Sequence, residues 1–244
     1  MRATLQEALG LFGGHLHLLT LLSLTVWLPV HVLVNYLEFF GDPAPEPSRS
    51  FAVGLLAQAT LDPIAAGAIL TVLARTKLGQ PVDYWTALLD GARAWSRLLP
   101  VRLVLMAVLV LPAVAARDLH PGSAGAAAGL LLLALTATAV ALLLVFALAE
   151  SVVVLEGRGV LSCWRRAAAL SAGRRRLILG TAVVVFGLLS SVAVLASLTL
   201  RADPALNHFV VRTLFDCVLS VSQTLFTIAL FAVYWRAAQP AVAR

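Results

Sequence analysis

The chain has 244 residues, 61% of them hydrophobic and only 12% charged, with a net charge of +6. Soluble domains carry about 25% charged residues, and a soluble fold of this size could not hide so much apolar surface, so lipid is the natural solvent. The basic excess is arginine apart from Lys77; no DNA- or RNA-binding motif accompanies it, and membrane flanks and headgroups account for it better than nucleic acid does.

Residues 3–14 form a short amphipathic piece, with Leu5, Ala8, Leu9 and Phe12 on one helical face. The first span follows at 16–40, with Pro29 inside it and His31 and Asn35 one turn apart. This run is too long for a signal-peptide core and is read as a retained span. A Pro- and acid-rich loop, GDPAPEPSRS, leads to the second span at 51–74, which carries Asp62-Pro63 near its middle.

Residues 82–98 have the cleanest pattern. Asp83, Thr86, Asp90, Arg93 and Arg97 recur every three or four residues as a polar stripe, and Tyr84, Trp85, Leu88, Leu89, Ala92 and Trp95 cover the other face. Such a segment is expected to lie in the membrane interface. The third span is 99–116. The fourth, 124–149, belongs to one long apolar run that continues to Leu155. A basic stretch comes next, with a third amphipathic segment at 160–173, then the fifth span at 177–200 and the sixth at 209–235.

The flanking charges orient these spans. With the N-terminus inside, only Arg49, Arg117, Arg201 and Arg212 lie outside, against fourteen basic residues inside. The expectation is an all-α, six-span protein forming a single transmembrane domain over residues 1–244, with both termini cytoplasmic. Its expected location is a bacterial cytoplasmic (inner) membrane. The three amphipathic segments start near Thr4, Asp83 and Ser162, evenly spaced along the chain. Ala8, Ala87 and Ala167 hold matching places, as do Leu19, Leu98 and Leu177. Each unit is then an amphipathic segment followed by a hairpin of two spans. An even number of spans per unit gives no inverted topology, so duplication of a stable hairpin explains the repeat better than a transporter's inverted symmetry.

LEGRGVLSCWRRAAALSAGRRRLILG, residues 155–180, places Glu156 and Gly159 at the end of a span. An Ala-rich helix with Arg166 and Ser171 follows, then Gly173 and a basic cluster. This resembles the membrane domain of some glycerophosphoryl diester phosphodiesterases, and related six-span bacterial proteins of unknown function. The resemblance implies the six-span fold. It does not imply the phosphodiesterase activity, because the barrel with its catalytic carboxylates and metal site is not in this sequence.

Asp62 stands out, because an ionised Asp at mid-span costs about 2.5–3.5 kcal/mol on insertion scales and must face protein or a wet cavity. With His31, Asn35 and Glu150 it makes the candidate intramembrane polar site. Arg212 and Asp216, one turn apart, are expected to pair, and Glu156 to pair with the arginines after it. Arg165, Arg166, Arg174, Arg175 and Arg176 are the candidate contact for lipid or a partner protein, each worth about 1 kcal/mol at an anionic surface. Cys163 and Cys217 form no C-x-x-C or Cys/His ligand set, and the histidines make no metal motif, so no metal or cofactor is expected. No nucleophile and base can be paired from sequence. The function expected is therefore non-enzymatic: a membrane scaffold or accessory subunit touching anionic lipid, or another membrane or cytoplasmic protein, at its inner face. The alternative is a small transporter or lipid-handling protein that uses its intramembrane acids.

Overall fold

The computed structural model describes residues 1–41, 48–118, 126–203 and 208–242. The expected outer turns at 42–47, 119–125 and 204–207 lie outside the described residues. Every regular element described is an α-helix: α1 (Arg2–Gly14), α2 (Leu16–Phe40), α3 (Ser48–Lys77), α4 (Tyr84–Asp118), α5 (Ala126–Phe146), α6 (Ala149–Glu156), α7 (Val160–Ser171), α8 (Arg175–Ala202) and α9 (Phe209–Val242). Lipid dictates this, because a spanning segment must satisfy its own backbone hydrogen bonds. Five stretches among the described residues are long and apolar enough to cross a bilayer: Leu16–Phe40, Ala52–Lys77, Gly129–Glu156, Arg175–Leu200 and Phe209–Ala238. The chain is an all-helical, multi-pass membrane protein. The remaining expected span, 99–116, lies within α4, where the side chains of 109 and 111–118 fall outside the described residues.

The segment 82–98 is not the free-standing interfacial helix that its polar stripe suggests. Asp83 caps it, accepting hydrogen bonds from the Thr86 amide at 3.1 Å and the Thr86 hydroxyl at 3.0 Å. From there α4 runs unbroken to Asp118. At 1.5 Å per residue it is about 52 Å long, well beyond the ~30 Å hydrocarbon layer. The reason is a stripe of small residues. Ala87, Gly91, Ala94, Leu98 and Val101 recur at i+3 and i+4 and are buried, while Trp85 and Leu89 of the expected apolar face are 66% and 54% exposed.

That small stripe lets α4 lie directly on α3. A β-carbon at Gly91 would stand 2.5 Å from the Ile64 carbonyl oxygen and 2.7 Å from the Ala68 nitrogen, and one at Gly67 would stand 3.0 Å from the Gly91 Cα. Backbones this close are the small-residue packing of membrane helices. The fourth expected span also ends early. A turn at 147–148 separates α5 from α6, and α6 stops at Gly157, whose φ of 65° is a left-handed cap that favours glycine.

The core gathers in one half of the bundle. One cluster joins Leu98 and Val101 of α4, Leu148–Val153, Cys163 and Ala167 of α7, Ile178 of α8 and Val233–Tyr234 of α9. A second joins Ala8, Leu19, Leu22, Ala68–Leu73, Ala87 and Ile228–Phe231. Much of α5 and α8 stays bare, with Leu130, Leu131, Leu133, Val183, Leu188 and Leu195 each more than half exposed. Only 6% of the most apolar part of the Gly129–Glu156 stretch is buried, so its leucines face lipid.

Gly91→Ala is expected to lower stability by about 1–3 kcal/mol, because its methyl has only backbone to push against. Gly10→Ala, in a helix with open space around it, is expected to be neutral or stabilising. Thermal unfolding of the detergent-solubilised protein distinguishes the two.

Candidate functional site

Asp62 belongs to α3 and precedes Pro63, which has no amide hydrogen to give the Ala59 carbonyl. At this turn the Trp95 indole of α4 donates to the Thr60 carbonyl at 2.6 Å, tying α4 to the proline-weakened stretch. Arg102 lies two turns further along α4. Its guanidinium forks between two carboxylates on different helices: Nη2 pairs with Asp62, and Nη1 donates to Glu150 at 2.6 Å. Glu150 occupies the first turn of α6, where the helix dipole favours an anion. All three side chains are roughly four-fifths buried, and the Arg102 Nε is buried without a partner. One cation between two acids leaves the cluster one negative charge in excess.

His31 and Asn35 are elsewhere, on the seam between α2 and α9. The His31 Nε2 shares a 2.7 Å hydrogen bond with the Ser220 hydroxyl, and the ring stacks on Trp27. Asn35 donates to Asp216 at 2.9 Å and to Thr213 at 3.3 Å, and Arg212 lies 3.6 Å from Asp216. The four residues grouped from sequence thus divide into two sites. Asp62 and Glu150 meet through Arg102, and His31 and Asn35 face α9.

Two pairings here escape the sequence. Arg102 counts there as a flank charge, although its place within the third expected span is a signal that it needs an acid. Ser220 has no base near it in the chain, yet it sits against His31, because the two come together only when α2 packs on α9. Ser220 is buried, and among the described residues the other ring nitrogen of His31 has no partner.

The basic stretch also divides. Glu156 accepts from the Arg158 Nε at 2.6 Å, the Arg166 Nε at 3.0 and 3.2 Å, and the Tyr234 hydroxyl at 3.2 Å. One carboxylate so joins α6, the glycine turn, α7 and α9. Arg174 donates to the Leu170 carbonyl at 3.4 Å. Among the described residues Arg165, Arg175 and Arg176 make no ion pair or hydrogen bond, and all three are exposed.

A further clasp closes the two ends of the chain. Glu7 of α1 pairs with Lys77 of α3 and Arg236 of α9, each at 2.6 Å, and Arg236 also donates to Thr4 and the Ala3 carbonyl at 3.1 Å. Burial raises the Glu7 pKa, but the hydrogen bonds from Lys77 and Arg236 outweigh it and hold the carboxyl below its ordinary 4.5. Nothing in the local sequence of 2–14 signals this contact, because its partners stand at the end of α3 and near the far end of the chain. No cluster of three or more His, Cys, Asp or Glu fit to hold a metal ion occurs among the described residues.

Compared with known proteins, the chain matches no family model, no curated protein and no solved structure.

Arg102→Leu is expected to cost about 3–5 kcal/mol by leaving two buried acids unpaired, while the triple change Asp62→Asn, Arg102→Leu, Glu150→Gln recovers most of it. Melting temperatures in detergent check this. For Glu7 the linkage has a definite sign. A carboxyl lowered in the folded state stabilises above its ordinary pKa of 4.5, and that contribution disappears as the pH falls through the lowered value. Hydrogen exchange of the α1 amides is expected to accelerate below that pH in the wild type. Glu7→Gln, which removes the charged hydrogen bonds at a cost of about 1–3 kcal/mol, is expected to show faster exchange already at pH 7.

Proposed function

We propose that the chain is a non-enzymatic membrane scaffold or accessory subunit. It has six spans in three hairpin units, both termini are cytoplasmic, and it sits in a bacterial cytoplasmic membrane. The observation that carries this reading is a ring of clasps. Each amphipathic segment is pinned to the end of a hairpin: Asp90 to Arg75, Arg166 to Glu156, and Glu7 to Arg236. The last pair closes the third unit onto the first. Lys77 and Glu156, which end α3 and α6, and Arg236 in the last turns of α9 are almost evenly spaced along the chain.

Burial supports the same register. Ala8, Ala87 and Ala167 are each 0% exposed, and Leu19, Leu98 and Ile178 are at most 1% exposed. The third unit thus uses Ile178 rather than Leu177. The stretches 68–73, 148–153 and 228–233, one from each unit, all contribute to the buried core. In this reading the paired charges hold the bundle closed, and the unpaired arginines of the basic stretch, Arg165, Arg175 and Arg176, face the cytoplasm for anionic lipid or a partner protein. The glycine turn after Glu156, where the likeness to the phosphodiesterase membrane domains lies, belongs to that frame. Membership of that six-span group is part of the proposal.

Affinity purification of the full chain from membranes in mild detergents is expected to recover a stoichiometric protein partner. Recovery of none across several detergents counts against the scaffold reading. One observation favours a second reading, a small transporter: the negative charge in excess at Asp62, Arg102 and Glu150. The equivalent places in the other two units hold Ala141 and Val221 for Asp62, Ser23 and Ala182 for Arg102, and Thr71 and Leu230 for Glu150. Two units therefore fold without charges there. Flux into proteoliposomes by the wild type, abolished in Asp62→Asn, decides for transport, and no wild-type flux sinks it.

A further inference from the structure

The turn between α7 and α8 forms an open groove of about 460 Å³ lined by Ala172, Gly173, Arg175 and Arg176. Two facts together mark it, and they set it apart from Arg165, which is equally free but lies on α7 outside the groove lining. Its arginines are spent on nothing: Arg158 and Arg166 are taken by Glu156, but Arg175 and Arg176 have no partner among the described residues. The helix that leaves the groove is bare on the matching face. Leu179 and Val183 follow Arg175 at successive turns of α8 and are 42% and 62% exposed. A pair of free cations at the head of an apolar stripe complements a molecule with an anionic head and hydrocarbon tails.

We propose that this groove is a binding site for one anionic phospholipid. Its phosphate is held by Arg175 and Arg176 and its acyl chains lie along Leu179 and Val183. The guanidinium fork matches phosphate oxygens in pairs, which an ammonium cannot do. The small side chains at 172 and 173 leave the headgroup room to approach the turn. The stripe below lets the acyl chains stay in the hydrocarbon layer while the headgroup reaches the arginines. A soluble phosphate or an acidic peptide would use the arginines but not the stripe.

This inference rests on the scaffold reading in one respect, that the α7–α8 turn faces the cytoplasmic leaflet. The test uses the full chain in nanodiscs of phosphatidylcholine with a minority of phosphatidylglycerol, and native mass spectrometry of the lipid retained on release. The wild type is expected to keep one phosphatidylglycerol. Arg175→Gln with Arg176→Gln is expected to retain about tenfold less, and Arg93→Gln, which removes a charge from an exposed pair elsewhere, to retain as much as the wild type.

Leu179→Gln with Val183→Gln separates a lipid from a bare anion. Weaker retention supports the acyl-chain contact, whereas full retention, or displacement of the lipid by millimolar inorganic phosphate, overturns it. Equal loss in the Arg93 control would reduce the site to general electrostatics and overturn it. Labelling Ala172→Cys in intact cells separates the two failures. If the position is reached from outside, the orientation falls and the scaffold reading with it. If it is shielded and the lipid is still not retained, only the site falls.

Discussion

The hydrocarbon core gives a charge no partner, so an ion buried within the bundle must be met by another from the chain itself. The protein meets this constraint with a recurring arrangement in which one carboxylate sits between two cations. Glu7 lies between Lys77 and Arg236, Asp90 between Arg75 and Arg93, and Glu156 between Arg158 and Arg166. Each group carries one positive charge in excess, and each ties an amphipathic segment to a long helix. The group at Arg102 inverts the arrangement, with one cation between two acids. The cationic groups gather basic character around the amphipathic segments, and the inverted group puts a negative centre between α3, α4 and α6.

Packing follows the same economy. Hydrophobic burial drives folding weakly in lipid, because a leucine loses little by facing hydrocarbon. The large apolar residues of α5 and α8 are therefore left outward, and the tight contacts are made by Gly67, Gly91, Ala87 and Ala94. The same rule explains why the amphipathic segment 84–98 is continuous with the rest of α4 rather than a separate helix. Its small stripe offers α3 closer contact than its tryptophan face could offer any neighbour, so the helix stands along α3 and carries Arg102 to Asp62.

Where a side chain has a local cause, its role is legible in the sequence. Asp62 announces itself as a charge in an apolar run. Arg212 and Asp216 stand one helical turn apart, and Glu156 has arginines two and ten residues after it. Roles set by distant partners are not legible. Arg102 reads as a flank charge, since both of its acids lie on other helices, far from it in the chain. Glu7 looks like an ordinary polar residue of a short helix. His31 and Asn35 group with Asp62 because all lie inside spans, and depth in a span says nothing about which neighbour a helix face meets.

By itself the sequence determined the solvent, the helical character and most of the places where helices begin and end, because hydropathy, periodicity and capping act over a few residues at a time. Tertiary structure decided which charges meet. It joined Asp62 to Glu150 through Arg102, split His31 and Asn35 away to α9, and closed α1 onto Arg236. An ion pair in lipid is chosen by which helices lie side by side, and that is settled by small-residue contacts between segments far apart in the chain.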